Sequence, residues 1–452
     1  MPPLLLILAV GAFLRLFKIK EGFSFDFDHE ISAQAAWEFF KHGKIFLIGQ
    51  ELSFQGFFLG PLHNWIQFIP YGLCNLKPDC VPYFYTALSL LTVVLLYLSL
   101  KSMLNPRAAL ISSAIYAISF TAISYEWGVN SNYFLLLSTL FVLFCLYKYF
   151  QKKGFYLILG ALVCGIAIVN FNPIFIFNAV AFFLVSLFRC NKSWRIYSLS
   201  IFVLFLNYAP LVIFNFRHDN ILWHNFLNFL EQSINHSNDF SSAWSLLSKV
   251  TLPYFTYYIF HSAYFLLIFA LLIVLILGSY SILTSKSKYL IFLVLTPLIN
   301  YTGLIFYKGY VPEYYFQQSA LSVIILLSLI LERYRIVFII LVPIFLWINL
   351  NENFNYKSVI NYQVKKQAVS YIISDTAGQT FNIYRDFPPG YNTGYDYLFR
   401  GYGKYPQEGA KNLYILEYTS LTDFDPTNYY LTYFGKDIKI KSFDPVFVIS
   451  VK

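Results

Sequence analysis

Three carboxylates and an imidazole fall within five residues, Asp26-Phe27-Asp28-His29-Glu30, in the first polar stretch after an apolar N-terminal run. A carboxylate within hydrogen-bond reach of a hydroxyl can take its proton as the oxygen attacks, so Asp28 and Glu30 are the candidate catalytic bases, with Asp26 beside them as a substrate contact. Asp28, His29 and Glu30 could also hold a divalent cation. That alternative stays open, and no cofactor is required. If residues 23–28 are extended, Phe23, Phe25 and Phe27 face one way while Ser24, Asp26 and Asp28 face the other. Asp28 then stands as the N-cap of a helix in which Ala33, Ala36, Trp37 and Phe40 oppose Gln34, Glu38 and Lys41, closing at Gly43.

The elements that must position this cluster are membrane spans. Of 452 residues, 58% are hydrophobic and only 12% charged, about half the charged share of a soluble domain. The formal net charge of +9 is unevenly placed. Twelve basic residues, Lys101, Arg107, Lys148, Lys152, Lys153, Arg189, Lys192, Arg195, Lys286, Lys288, Arg333 and Arg335, sit in five short connections with one acid, Glu332. Without them the 32 basic and 23 acidic residues become 20 and 22, so the basicity marks topology and excludes a nucleic-acid footprint.

Apolar runs near 2–18, 82–101, 108–124, 132–149, 155–170, 172–189, 196–214, 254–283, 289–306, 315–331 and 335–350 give about eleven transmembrane helices. The first run lacks a cleavage pattern and is expected to be retained. With the N-terminus inside, all five basic connections fall in the cytoplasm. Residues 19–81, 125–131, 215–253, 307–314 and 351–452 then fall outside. The expected fold is mainly α: a polytopic membrane domain over 1–350, whose first outer loop at 19–81 bears the acids, and a C-terminal extracytoplasmic α/β domain over 351–452. In the latter Val364 to Ile373 reads as helix, and Phe381 to Tyr384, Leu413 to Leu416 and Val446 to Val451 as strands. Gly60-Pro61 starts a short helix with Leu62, Trp65, Ile66 and Ile69 on one face and His63 and Gln67 on another, interrupted by Pro70, which suits a re-entrant or surface-lying segment. Cys74 and Cys80 are near enough in sequence to bridge in an oxidising compartment.

There is no Gly-rich phosphate loop, no Cys/His pair at zinc spacing and no Gly-x-Ser-x-Gly elbow. Membrane lipids are expected partners. A lipid phosphate at the outer interface would need a cation, and Arg15, Lys18, Arg217, His218 and Lys308 are available; Arg217 can grip phosphate through two hydrogen bonds. Tyr314, with Tyr310 and Tyr315, could line a sugar or lipid groove.

Asp28-His29-Glu30, Ile48-Gly49-Gln50 and Gly56-Phe57-Phe58-Leu59-Gly60-Pro61-Leu62 resemble the first outer loop of bacterial membrane glycosyltransferases of the GT-C class, in the protein O-mannosyltransferase and aminoarabinose-transferase (family 39-like) branch. Asn130-Ser131-Asn132, Phe216-Arg217-His218-Asp219 and Tyr314-Tyr315-Phe316 follow in the same order. The resemblance covers most of 1–350, with a weaker echo at Tyr391 to Gly403.

The resemblance implies a polyprenyl-phosphate-linked sugar as donor, transfer at the outer face of a bacterial plasma membrane, and Asp28 as the loop-one aspartate that acts as base. His29 departs from the family pattern between the two acids, which leaves Glu30 and metal dependence undecided. The acceptor, whether protein, lipid or glycan, is not specified. The expected activity is therefore glycosyl transfer. The alternative from another class is a transporter or flippase for a lipid-linked glycan, which should carry ionisable groups near mid-span.

Overall fold

Each of the apolar runs is helical in the computed structural model, which describes residues 2–52, 56–189, 193–233, 241–261, 265–307, 311–357, 360–387, 391–418 and 438–451. Among the described residues six helices are long and apolar enough to cross a bilayer: Pro78–Met103, Tyr133–Phe150, Phe265–Leu283, Lys288–Ile305, Glu313–Arg333 and Arg335–Asn355. Two bent helix pairs, Pro106–Ile118 with Phe120–Trp127 at 54° and Trp194–Leu206 with Ala209–Arg217 at 45°, are long and apolar enough to cross when each is taken as one span. Three shorter apolar helices, Pro2–Phe17, Phe155–Asn170 and Pro173–Ser186, account for the remaining runs. The protein is an integral membrane protein.

The bends have local causes. Ser119 caps the second half of the first pair, its hydroxyl accepting from the Ala122 amide at 3.2 Å. Pro210 sits in the first turn of Ala209–Arg217, where its missing N–H is tolerated. The run expected at 254–283 is not one element. Helix Leu252–Phe260 ends at His261, whose φ of 44° is left-handed, and the Ser119 corner ties it down by donating to the Tyr258 carbonyl at 2.6 Å. A stretch of that length exceeds one bilayer crossing, and the chain uses its first third as a separate buried helix.

The basic connections gather at one end. Asn105 donates to Glu332 at 2.9 Å, Tyr289 donates to the Met103 carbonyl at 2.6 Å, Tyr147 packs on Tyr289, and the Arg189 guanidinium lies over the Tyr149 ring. Glu313–Arg333 is buried along almost its whole length and forms the centre of the bundle, whereas Arg335–Asn355 lies at its periphery.

Beyond Asn355 comes helix Tyr362–Asp375, started by Asn361, whose side chain accepts from the Val364 amide. Among the described residues four strands follow, β1 (Phe381–Asp386), β2 (Asn412–Tyr418), β3 (Ile438–Ser442) and β4 (Val446–Val451), in the order β1-β2-β4-β3. The β1–β2 pair is parallel and the others antiparallel. Strand β3 and helix Tyr395–Gly401 are additional to the elements expected from the sequence; β3 is only five residues long, although Ile438 and Ile440 alternate with Lys439 and Lys441 as a half-buried strand requires.

Candidate active site

The acidic cluster is not an extended strand. Phe25 takes a left-handed φ of 53°, and the helix Phe27–His42 begins two residues earlier than expected, with Asp26 rather than Asp28 as its N-cap. Phe23 and Phe25 are buried together, but Phe27, now the first helical residue, points outward at 53% exposure. Gly43 ends the helix in the left-handed region, as its position suggests.

Starting the helix at Phe27 sends consecutive side chains about 100° apart, so Asp28, His29 and Glu30 diverge. His29 Nδ1 lies 2.6 Å from Asp26 Oδ1, and the imidazole packs edge-on to Phe23. Glu30 is turned inward, where its two oxygens accept from the backbone amides of Gly394 at 2.8 Å and Tyr397 at 2.7 Å. Among the described residues no three His, Cys, Asp or Glu side chains converge to hold a metal ion, so the trio Asp28, His29 and Glu30 does not form the cation site envisaged.

Asp28 faces a cavity of about 310 Å³, and its carboxylate accepts no hydrogen bond from a described residue. Gln50, Leu59, Asn130, Asn132, Tyr314 and Tyr315 share the lining. These positions come from motifs far apart in sequence, and local bonding brings them together. Gly49 donates to the Leu59 carbonyl at 2.6 Å and Leu59 to the Gln50 carbonyl at 2.8 Å, so the two glycine-containing motifs of the first loop pair with each other. Gly60 then donates to the Val169 carbonyl at 2.7 Å; a Cβ there would collide with Asn170, whose side chain accepts from the Leu62 amide. Asn172 donates to Asn132 at 2.8 Å and fixes the opposite wall. A larger cavity, about 560 Å³, adjoins this one through Asn130 and is lined by Lys249, Tyr254, His261 and Glu313.

Helix Leu62–Leu73 supports the floor with its polar face inward: His63, Asn64 and Gln67 are buried while Ile69 and Leu73 are 54% and 75% exposed. That inverted arrangement, polar side in and apolar side out, is the one expected of a surface-lying or re-entrant segment. Ser32 of the acidic helix donates to Asn64 at 2.8 Å. A Cys74–Cys80 disulfide, with Cα atoms 5.9 Å apart, closes the segment.

The electrostatics separate the two aspartates. Partial burial would raise Asp26, but the His29 imidazole, Lys365 and the Ser24 hydroxyl outweigh it and hold the group well below the usual carboxylate range. Burial and the neighbouring Asp26 charge push Asp28 up to about 6, against a smaller opposing effect of His29. Burial works against charge on His29, yet Asp26 and Asp28 raise its pKa above the ordinary value. The result is a paired, ionised Asp26 beside an Asp28 that exchanges its proton near neutrality.

The remaining sequence candidates are dispersed. Arg217 and His218 are exposed at the end of Ala209–Arg217, with His218 stacked on Phe214, and neither is among the described lining of the Asp28 cavity. Their neighbourhood does touch the first loop: Phe58 packs on Phe214, and Asn225 donates to the Gly56 carbonyl at 3.0 Å. Lys308 and Tyr310 lie outside the described residues. Lys18 sits over the Phe17 ring. Arg15 cannot reach a lipid phosphate, because it is fully buried in a bidentate pair with Glu126, at 2.6 and 3.0 Å. Sequence reasoning missed Lys365, Lys366 and Asp79, which join the first loop to the C-terminal segment through an ion pair at 2.7 Å and the contacts described below. Nothing local distinguishes these lysines from solvated ones.

Residues 59–214 match the family model described as dolichyl-phosphate-mannose-protein mannosyltransferase. The match includes the second half of the loop-one hairpin and Asn130 to Asn132, but not Asp28. No curated protein matches the chain by sequence. Among solved structures, ArnT from Cupriavidus metallidurans bound to undecaprenyl phosphate superposes with a TM-score of 0.66 at 11% identity, over 99% of this chain and 97% of that one. Its apo form gives 0.64 at 10% identity with the same coverage. The Archaeoglobus fulgidus oligosaccharyltransferase in complex with zinc and sulfate gives 0.51 at 12% identity, over 83% of this chain and 55% of that one. The fold is that of the GT-C glycosyltransferases, and residues 59–214 carry the sequence pattern of the mannosyltransferase family within it.

Proposed function

We propose that this protein is an integral-membrane glycosyltransferase that moves a sugar from a polyprenyl-phosphate donor to an acceptor nucleophile at the extracytoplasmic face of a bacterial plasma membrane, with residues 1–350 as the membrane unit and 351–452 outside. The ArnT structure holds undecaprenyl phosphate, and a lipid of that class is assigned here as the carrier from which the sugar is transferred. The reaction is a direct displacement. An acceptor hydroxyl gives its proton to Asp28 as its oxygen bonds to the anomeric carbon; the bond from that carbon to the phosphate oxygen breaks, and polyprenyl phosphate leaves with the electron pair.

The observation that carries this reading is the placement of Asp28: half-buried, accepting no hydrogen bond from a described residue, facing a cavity walled by Gln50, Asn130, Asn132 and Tyr314, and raised to about 6 by burial and the Asp26 charge. Glu30 is not a base in this reading, since backbone amides occupy both of its oxygens. The described wall of the Asp28 cavity supplies no cation for the leaving phosphate; Lys249 in the adjoining cavity is the group assigned to that charge, in place of Arg217. The test is incubation of purified protein with radiolabelled polyprenyl-phosphate sugars and native membranes. Release of polyprenyl phosphate with label entering an acceptor is the expected result; movement of an intact donor across a vesicle bilayer without release is the result that would instead establish a transporter.

A further inference from the structure

The side of the acidic turn that faces away from the cavity is held by a segment some 340 residues later in the chain. Lys365, 1% exposed, donates from Nζ to the Phe25 carbonyl at 2.9 Å and to the Thr393 carbonyl at 2.9 Å. Gly394 presses on the same Phe25 carbonyl, and a Cβ built at Gly394 would run into that oxygen; its φ of 87° also favours glycine. Phe25 is itself in the left-handed region, which a bulky residue adopts only when its surroundings impose it. The next residue is the helix N-cap Asp26, and two further on is Asp28. Glu30 closes the ring by accepting from Gly394 and Tyr397, while the Tyr362 amide donates to the Phe23 carbonyl at 2.7 Å.

We propose that Lys365 and Gly394 are positioning residues: by fixing the Phe25 carbonyl they impose the left-handed turn that starts the helix at Phe27 and thereby aims Asp28 into its cavity. The inference rests on Asp28 as the base. It makes the C-terminal segment part of the catalytic apparatus, not an appended module. Burial explains why a lysine suits the task, because a desolvated ammonium gains from accepting carbonyls and from the facing carboxylates. Burial lowers Lys365 to about 8, against the pull of Asp26 and Glu30 and with Arg385 adding to the fall.

Three variants test this in the full-length protein: Lys365→Met, which keeps the stem and removes both donated bonds, Gly394→Ala, which strains the same carbonyl from its other side, and Lys366→Met, which breaks the Asp79 ion pair of the same joint without touching Phe25. Hydrogen exchange of the amides of residues 25–30 needs no donor. It should accelerate in the first two variants and not in the third. With a donor that the wild type consumes, kcat should fall about a hundredfold, the cost of misplacing a reacting group by roughly an ångström, with KM little changed. Unchanged exchange in both Lys365→Met and Gly394→Ala overturns the proposal, as does a Lys366→Met variant that reproduces the whole pattern. Absence of transfer by the wild type would count against the proposed function alone, since the exchange result stands without it.

Discussion

Asp28 and Glu30 occupy one turn of one helix, and the molecule treats them in opposite ways. Asp28 looks into a cavity and accepts no hydrogen bond from a described residue; Glu30, 8% exposed, has a backbone amide on each oxygen. The difference arises from helical geometry, since two residues on a helix lie about 200° apart. A carboxylate can be reactive or structural depending only on which side of its helix meets solvent. In the proposed reading the face carrying Asp28 is free for chemistry because the face carrying Glu30 is clamped.

The comparison can be broken first at Asp28. Asp28→Asn removes the proton acceptor while Asp26 retains the cap, so turnover should fall by about two to four orders of magnitude with thermal stability near wild type. A variant that retains turnover would move the base elsewhere. Glu30→Ala should act through structure instead. It leaves two buried amides unpaired, at about 1–3 kcal/mol, so melting temperature and turnover should fall together, and turnover by less than in Asp28→Asn. If Glu30→Ala abolishes transfer with an unchanged melting temperature, the two roles have been assigned the wrong way round.

The acid limb of the rate sharpens the same distinction. Asp28 must be deprotonated to accept a proton, and its pKa is raised to about 6, so kcat/KM should rise about tenfold per pH unit below 6 and level off above it. A plateau continuing down to pH 4.5 would show that the titrating group is not this one. The smallest effect is expected at Arg217, which is exposed and off the described wall of the cavity; Arg217→Ala should change turnover less than about threefold, measured with the same donor.

Much of this arrangement was legible in the sequence because membrane proteins state their topology in composition. The apolar runs and the five basic connections predicted the helices and the end at which those connections meet, and Val446–Val451 was anticipated to the residue. The motifs Ile48-Gly49-Gln50, Asn130-Ser131-Asn132 and Tyr314-Tyr315 converge on the Asp28 cavity, which their order alone does not require. What stayed hidden depends on long-range contact. Periodicity could not reveal that Phe25 would be forced left-handed, because the force comes from Lys365 and Gly394. Nor could it separate Arg15 from the other outer cations: an arginine near the end of an apolar run looks like a headgroup anchor until Glu126 is found beside it.

The most direct test of the central claim separates donor binding from bond breaking in a single variant. Purified wild type and Asp28→Asn would be titrated with the same radiolabelled polyprenyl-phosphate sugar, and release of free polyprenyl phosphate followed in the presence of acceptor membranes. Equal donor affinity, with release by the wild type and almost none by Asp28→Asn, is the predicted result. Release by Asp28→Asn at the wild-type rate would contradict it.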